Sequence, residues 1–303
     1  MNWIFIAAVA YLFLAAASIT DKFLVSERLK PHVFAFSVAV LTGLLSTILI
    51  PFGFDWIGWP LLSVNILSGG FFLAAIFFLY KALEKKESSR IYPLTGGLQP
   101  IFIFLPAYFL LHEKWNSVSL FAFILIVCGS LLIAFSQGKE KIGRPAIYFV
   151  ILAAVFFSFS LTLEKYVYSR FDSFFSVFIW NRYGMFLAGL LILLFPKSRK
   201  DIVLKFKARG HSRSSGTLAV FLCGQGAGAL GVILQKYAIS LGSVSMVSAM
   251  QGTMYVFLLM MTTTLSLKFP RIIKEKVTQS ILLQKIVAIA FIGAGIYLLA
   301  FYK

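Results

Sequence analysis

Residues 61–83 read LLSVNILSGGFFLAAIFFLYKAL. A single charge, Lys81, interrupts the run, close to its end. A helix needs about 20 apolar residues to cross the hydrocarbon core of a bilayer, so this segment is long enough. It shows neither the alternation of a half-buried strand nor a polar face. It is apolar all round, as a helix immersed in lipid must be.

Working outward from this segment gives nine more runs of the same kind. Together the ten lie roughly at 3–21, 32–52, 61–83, 91–111, 117–136, 145–166, 173–195, 216–238, 244–267 and 282–302. Turn formers punctuate the gaps: Pro31, Pro51, Pro60, Ser88 to Arg90, His112 to Lys114, Gly138 to Pro145, and Gly242. The expected fold is therefore an all-α polytopic membrane protein of ten transmembrane helices. A β-barrel would show alternating segments of about ten residues, which these runs do not.

Composition agrees. Of 303 residues, 60% are hydrophobic and 13% charged, against about 25% charged in a soluble domain. The net charge of +17 would suggest nucleic acid in a soluble chain. So apolar a chain instead belongs in lipid, so no nucleic-acid partner is expected. Cys128 and Cys223 lie inside apolar runs, form no CxxC, and read as small buried hydrophobes. The three histidines are scattered, and neither a metal site nor a cofactor is expected.

The basic residues sort by side. Connections 1–2, 3–4, 5–6, 7–8 and 9–10 hold 22 of the 28, while Lys114, Lys165, Arg170, Lys236 and Lys303 cap the other side. Lys and Arg collect in cytoplasmic loops. Both chain ends are therefore expected outside, in a multi-pass cell membrane protein of the bacterial inner-membrane type. The longest basic connection, 197–213, is positioned to touch anionic lipid.

The ten spans divide into two halves, 1–138 and 139–303. Asp21-Lys22 ends the first span as Glu164-Lys165 ends the sixth, Gly43 pairs with Gly189, Gly96 with Gly252, and Gly129 with Gly295. Five spans per half is odd, so the second copy enters the membrane inverted. Inverted repeats are a hallmark of secondary transporters, with a site near the midplane between the halves.

Residues 62–136 carry a family likeness. Phe78-Leu79-Tyr80-Lys81-Ala82-Leu83 precedes Tyr92-Pro93-Leu94, Leu98-Gln99-Pro100, and the connection His112-Glu113-Lys114. This pattern resembles the EamA-like family of the drug/metabolite transporter superfamily. The resemblance implies a metabolite or drug carrier whose cavity is lined mainly by spans 3, 4, 8 and 9. His112 stands where that family often has glycine, and Val256 where Pro100 has its counterpart.

Within the spans, polar residues are the candidates for binding. Arg182, between Asn181 and Tyr183, costs about 2.5–3.5 kcal/mol at mid-span on insertion scales and so needs a partner. It reads either as a cation for a substrate carboxylate or phosphate or as a structurally paired Arg. Glu164 is the proton-coupling candidate, its alternative being an interfacial pair with Lys165. The amides Gln99, Gln225, Gln251, Asn65 and Asn181 are expected to face the bundle interior. Trp180, Tyr92 and Tyr255 are expected to shape the cavity around a small-molecule solute. Gly224 and Gly228 form a GxxxG packing face, and Pro93 and Pro100 break the fourth span. Gly226 to Gly231 spells GxGxxG without the strand a dinucleotide site needs.

These features point to a secondary active transporter, in the exporting direction, and not to an enzyme. A non-transporting scaffold, a lipid scramblase and an integral-membrane enzyme are the alternatives. Substrate, coupling ion and oligomeric state are left open by the sequence.

Overall fold

The computed structural model describes residues 2–24, 30–84, 88–135, 143–207, 215–268 and 279–301. These form α1 (Asn2–Leu24), α2 (Pro31–Ser46), α3 (Trp59–Leu83), α4 (Ser88–Leu111), α5 (Ser117–Phe135) and α6 (Arg144–Tyr168). The chain continues through α7 (Phe174–Leu191), α8 (Pro196–Lys207), α9 (Ser215–Leu241), α10 (Val244–Ala249), α11 (Gln251–Lys268) and α12 (Gln279–Phe301). No strand occurs among the described residues. Six of their helical stretches are long and apolar enough to cross a membrane, and three shorter apolar helices accompany them.

Local chemistry sets the helix ends. Pro31 and Pro60 occupy first-turn positions of α2 and α3, where a missing N–H costs nothing. A 3₁₀ segment, Thr47–Phe52, closes α2 around Pro51, and Gly53 turns the chain at φ 139°. Ser173 caps α7 by accepting from the Ser176 N–H, and Ser243 caps α10 by accepting from the Met246 N–H.

Two expectations change. The 7–8 connection is not wholly a loop, because residues 196–207 form α8. The sequence PKSRKDIVLKFK places Ile202 in the protein while Lys197, Arg199, Lys200, Val203 and Leu204 are exposed. The ninth span is divided at Met250 into α10 and α11. Pro93 and Pro100, with Pro106, lie inside one continuous helix from Ser88 to Leu111.

The most extensive packing joins α1 to α9, α3 to α6, and α5 to α12. Glycines permit close approach. A Cβ on Gly129 of α5 would lie 2.8 Å from the Ala288 carbonyl and 2.7 Å from Ile292 Cγ1. A Cβ on Gly295 of α12 would lie 2.8 Å from the Ala122 carbonyl and 2.5 Å from Ile126 Cγ1. The same 166-residue interval separates Gly129 from Gly295, Ala122 from Ala288, and Ile126 from Ile292. The two helices therefore exchange equivalent contacts. Between α2 and α7, Gly43 faces Phe186 and Gly189 faces Ala39, nearly in the same manner.

Gly228 and Gly231 of α9 face α1. A Cβ on Gly228 would meet Ala17 Cβ at 3.4 Å, and one on Gly231 would meet Leu14 Cγ at 2.8 Å. Gly224 is buried. Cys128 and Cys223 are exposed, correcting their expected burial. The free side of a span meets lipid, where a thiol is as well accommodated as in a protein core.

Candidate functional site: a buried charge cluster

Among the described residues, three charged side chains are buried: Glu164 at 0%, Lys236 at 1% and Arg182 at 3% exposure. They come from α6, α9 and α7. Glu164 lies one turn before the end of α6, Lys236 five residues before the end of α9, and Arg182 within α7. The connections 169–173 and 242–243 lie at the same end of the bundle.

Backbone contact between α3 and α7 sets this position. A Cβ on Gly184 would lie 2.6 Å from Ile66 Cα, and Gly69 presses against the Asn181 carbonyl. No larger residue fits at either point without moving a helix. Asn181 Nδ2 donates to Ser68 Oγ at 2.9 Å, and Asn65 Nδ2 donates to the Val177 carbonyl at 2.8 Å. Asn65 and Asn181 therefore fasten α3 to α7, which fixes where Arg182 emerges.

Glu164 Oε2 accepts a hydrogen bond from Lys236 Nζ and closes an ion pair with it. Its other oxygen accepts from the Tyr168 hydroxyl at 3.2 Å. The expected pairing with adjacent Lys165 is corrected. Successive residues on a helix point about 100° apart, so Lys165 faces elsewhere and donates to the Ser240 carbonyl at 3.0 Å. Lys236 is likewise corrected, since it does not cap the outer side but lies inside the bundle.

Arg182 has no such counter-ion bond. Its Nη1 donates to Met185 Sδ at 3.8 Å, and Nη2 is buried without a hydrogen-bond partner. Its guanidinium carbon lies 4.8 Å from the Phe178 ring centroid and 5.2 Å from that of Phe72. Lys236 Nζ lies 5.1 Å from the same Phe72 ring. One aromatic ring is thus within cation–π range of both cations. The cluster carries two positive charges and one negative.

The other candidates disperse. Trp180 lies outside the cluster, stacked on Phe54 at 4.9 Å with its Nε1 donating to the Asp55 carbonyl at 3.1 Å. It lines an apolar groove of about 370 Å³ with Gly43, Thr47 and Tyr183. Tyr255 is buried and donates to the Tyr92 carbonyl at 2.8 Å, while Tyr92 itself is 40% exposed. Gln251 is half-buried and packs near Gly96. Gln99 is buried, and its backbone carbonyl accepts from the Ser158 hydroxyl. Gln225 is exposed. The side chains of Asp21 and Lys22 lie outside the described residues.

Sequence reasoning missed Lys236, Tyr168 and Phe72. The available signal was the position of Lys236, more than a turn inside an apolar helix, where a short reach to the interface cannot be assumed.

A helical bundle with several stretches able to cross a membrane, and with charges enclosed inside it, defines a polytopic membrane protein. A family model described as sugar transport protein matches residues 28–273. The chain belongs to that family. One solved crystal structure is similar at a TM-score of 0.67 and 16% identity, covering 98% of this chain and 96% of the other, which establishes a shared fold. No curated protein sequence matches the chain.

Proposed function

We propose that the protein is a secondary active transporter that carries a sugar or a similar polar metabolite by alternating access. The observation that carries this proposal is the Glu164–Lys236 pair. Apart from the Lys165–Ser240 hydrogen bond at the same end, the two helices it joins, α6 and α9, touch little elsewhere, because α6 packs on α3 and α4 while α9 packs on α1. The pair therefore latches two packing groups at one end of the bundle. For that end to open, both side chains must find other partners. A polyhydroxylated solute supplies them, since a hydroxyl donates to a carboxylate and accepts from an ammonium. A proton on Glu164 releases the carboxylate in the same way, which makes Glu164 the coupling residue.

The reciprocal contacts of Gly129 and Gly295 support two inverted five-helix repeats, 1–138 and 139–303, in a ten-helix carrier. So does the matching order of the helix pairs: α1 on α9 answers α6 on α3, and α1 on α11 answers α6 on α4. The likeness to EamA-like carriers supports the same architecture, and the family description supports the solute class. The basic-loop asymmetry supports both termini outside, which puts the latch toward the outer face.

Purified protein in proteoliposomes provides the test. Radiolabelled hexoses, pentoses and other small metabolites should move saturably, faster when a pH gradient is imposed. Loading the vesicles from either side tests the export direction. If no solute moves under any gradient, the transporter reading fails. A reporter fused to the C-terminus tests the topology, with a cytoplasmic signal opposing the proposed orientation.

A further inference from the structure

We propose that Arg182, together with Lys236, forms a subsite for an anionic group on the transported solute, a phosphate or a carboxylate. This rests on the transporter reading above and narrows its substrate class to acidic sugars or sugar-like acids.

The charge balance comes first. Glu164 is the one buried acid among the described residues, and it is engaged twice, by Lys236 and by Tyr168. The acid of the neighbouring connection, Glu113, is half-buried and spends Oε1 on the Val244 N–H at the start of α10. The buried set is therefore one positive charge in excess. Enclosing an uncompensated cation in an apolar bundle is expensive, and a structure that needed only to fold would have placed an apolar residue here.

The donors come second. A guanidinium presents five N–H groups in a planar fork that matches the two oxygens of a carboxylate or phosphate. Arg182 spends one on a thioether, a weak acceptor, and leaves Nη2 with none. The Phe72 and Phe178 rings attract the cation but accept no strong hydrogen bond, so they hold the group without satisfying it. An anionic oxygen pair would neutralise the set and take the free donor. Lys236, sharing the Phe72 ring, would supply the second cation once Glu164 released it. The hydroxyls of the same solute would then fall to Glu164 and Tyr168.

The test uses the full-length protein purified in detergent, titrated calorimetrically with neutral hexoses, their 6-phosphates and the matching hexuronates. For at least one hexose an anionic derivative should bind at least tenfold tighter than the neutral sugar, and phosphate against uronate separates the two anions. Arg182→Gln should abolish that advantage. Neutral sugars binding as tightly as every anionic derivative would overturn the proposal, as would an anionic preference that survives in Arg182→Gln. Should that variant fold poorly, the wild-type comparison still decides the anionic preference. Saturable flux of neutral hexoses without any anionic preference would sink the subsite and leave the transporter reading standing. Absence of flux for all of them would remove both.

Discussion

Glu164 of α6 and Lys236 of α9 are 72 positions apart in sequence and meet as an ion pair from which solvent is excluded. Each carries a desolvation cost that the other helps to offset. Removing one partner strands the other. Glu164→Gln and Lys236→Met should each lower stability by about 3–5 kcal/mol. The double variant should recover most of that loss. Thermal unfolding of the purified proteins reads the stability. Transport should stay abolished in the double variant even where the fold is restored, which separates the functional role from the structural one.

Gly129 and Gly295 should behave as equivalents. Alanine at either forces a Cβ into the facing helix, a form of overpacking that costs about 1–3 kcal/mol. Equal losses, agreeing to about 0.5 kcal/mol, are expected from unfolding of Gly129→Ala and Gly295→Ala. A large effect at one site and none at the other would speak against the inverted repeat.

His112 adopts φ 51°, the left-handed region, at the turn after α4. The EamA-like pattern often has glycine at this place, and glycine adopts the conformation without a Cβ penalty. His112→Gly should therefore be neutral or stabilising by up to about 1 kcal/mol, and His112→Val destabilising. Paired melting curves would show the opposite signs.

Asp201 ties α8 to the start of α2. It accepts from Lys30 Nζ at 2.8 Å and pairs with His32 Nε2 at 3.0 Å. The Lys30 hydrogen bond, aided by the Lys30 charge and by His32 against a smaller desolvation effect, holds its carboxyl below the ordinary value of 3.8. A depressed carboxyl adds stability above its unfolded value, and that stability is lost as pH falls through the folded value. Docking of α8 should weaken as pH falls below about 4. Hydrogen exchange in α8 across this range checks it, and Asp201→Asn should remove the pH response.

The exposed bases Lys197, Arg199 and Lys200 share α8 with exposed Val203 and Leu204, the composition of a helix lying in a membrane interface. Anionic lipid should stabilise this helix by about 1 kcal/mol per basic residue near the surface. Replacing all three with Gln should cancel the melting-temperature gain seen between neutral and phosphatidylglycerol-rich nanodiscs.

How much was legible in the sequence follows from which forces act locally. The spans of 61–83 or 145–166 could be read directly, because a helix in lipid must satisfy its own backbone and show lipid its side chains. The prolines and glycines at the connections marked the ends for equally local reasons. The glycine pairs hinted at the repeat, though not that Gly129 and Gly295 face each other's helices. Arg182 stood out because a mid-span cation is costly wherever its partner lies. What the tertiary structure alone decided was partnership. Glu164 takes Lys236 and not its neighbour Lys165, since helical geometry turns adjacent side chains apart and packing brings distant ones together. Asn181, adjacent to Arg182, became a helix fastener for the same reason, and Trp180 stacks on Phe54 away from the cluster. Length and polarity act along the chain and can be read there, whereas an ion pair depends on which helix faces which.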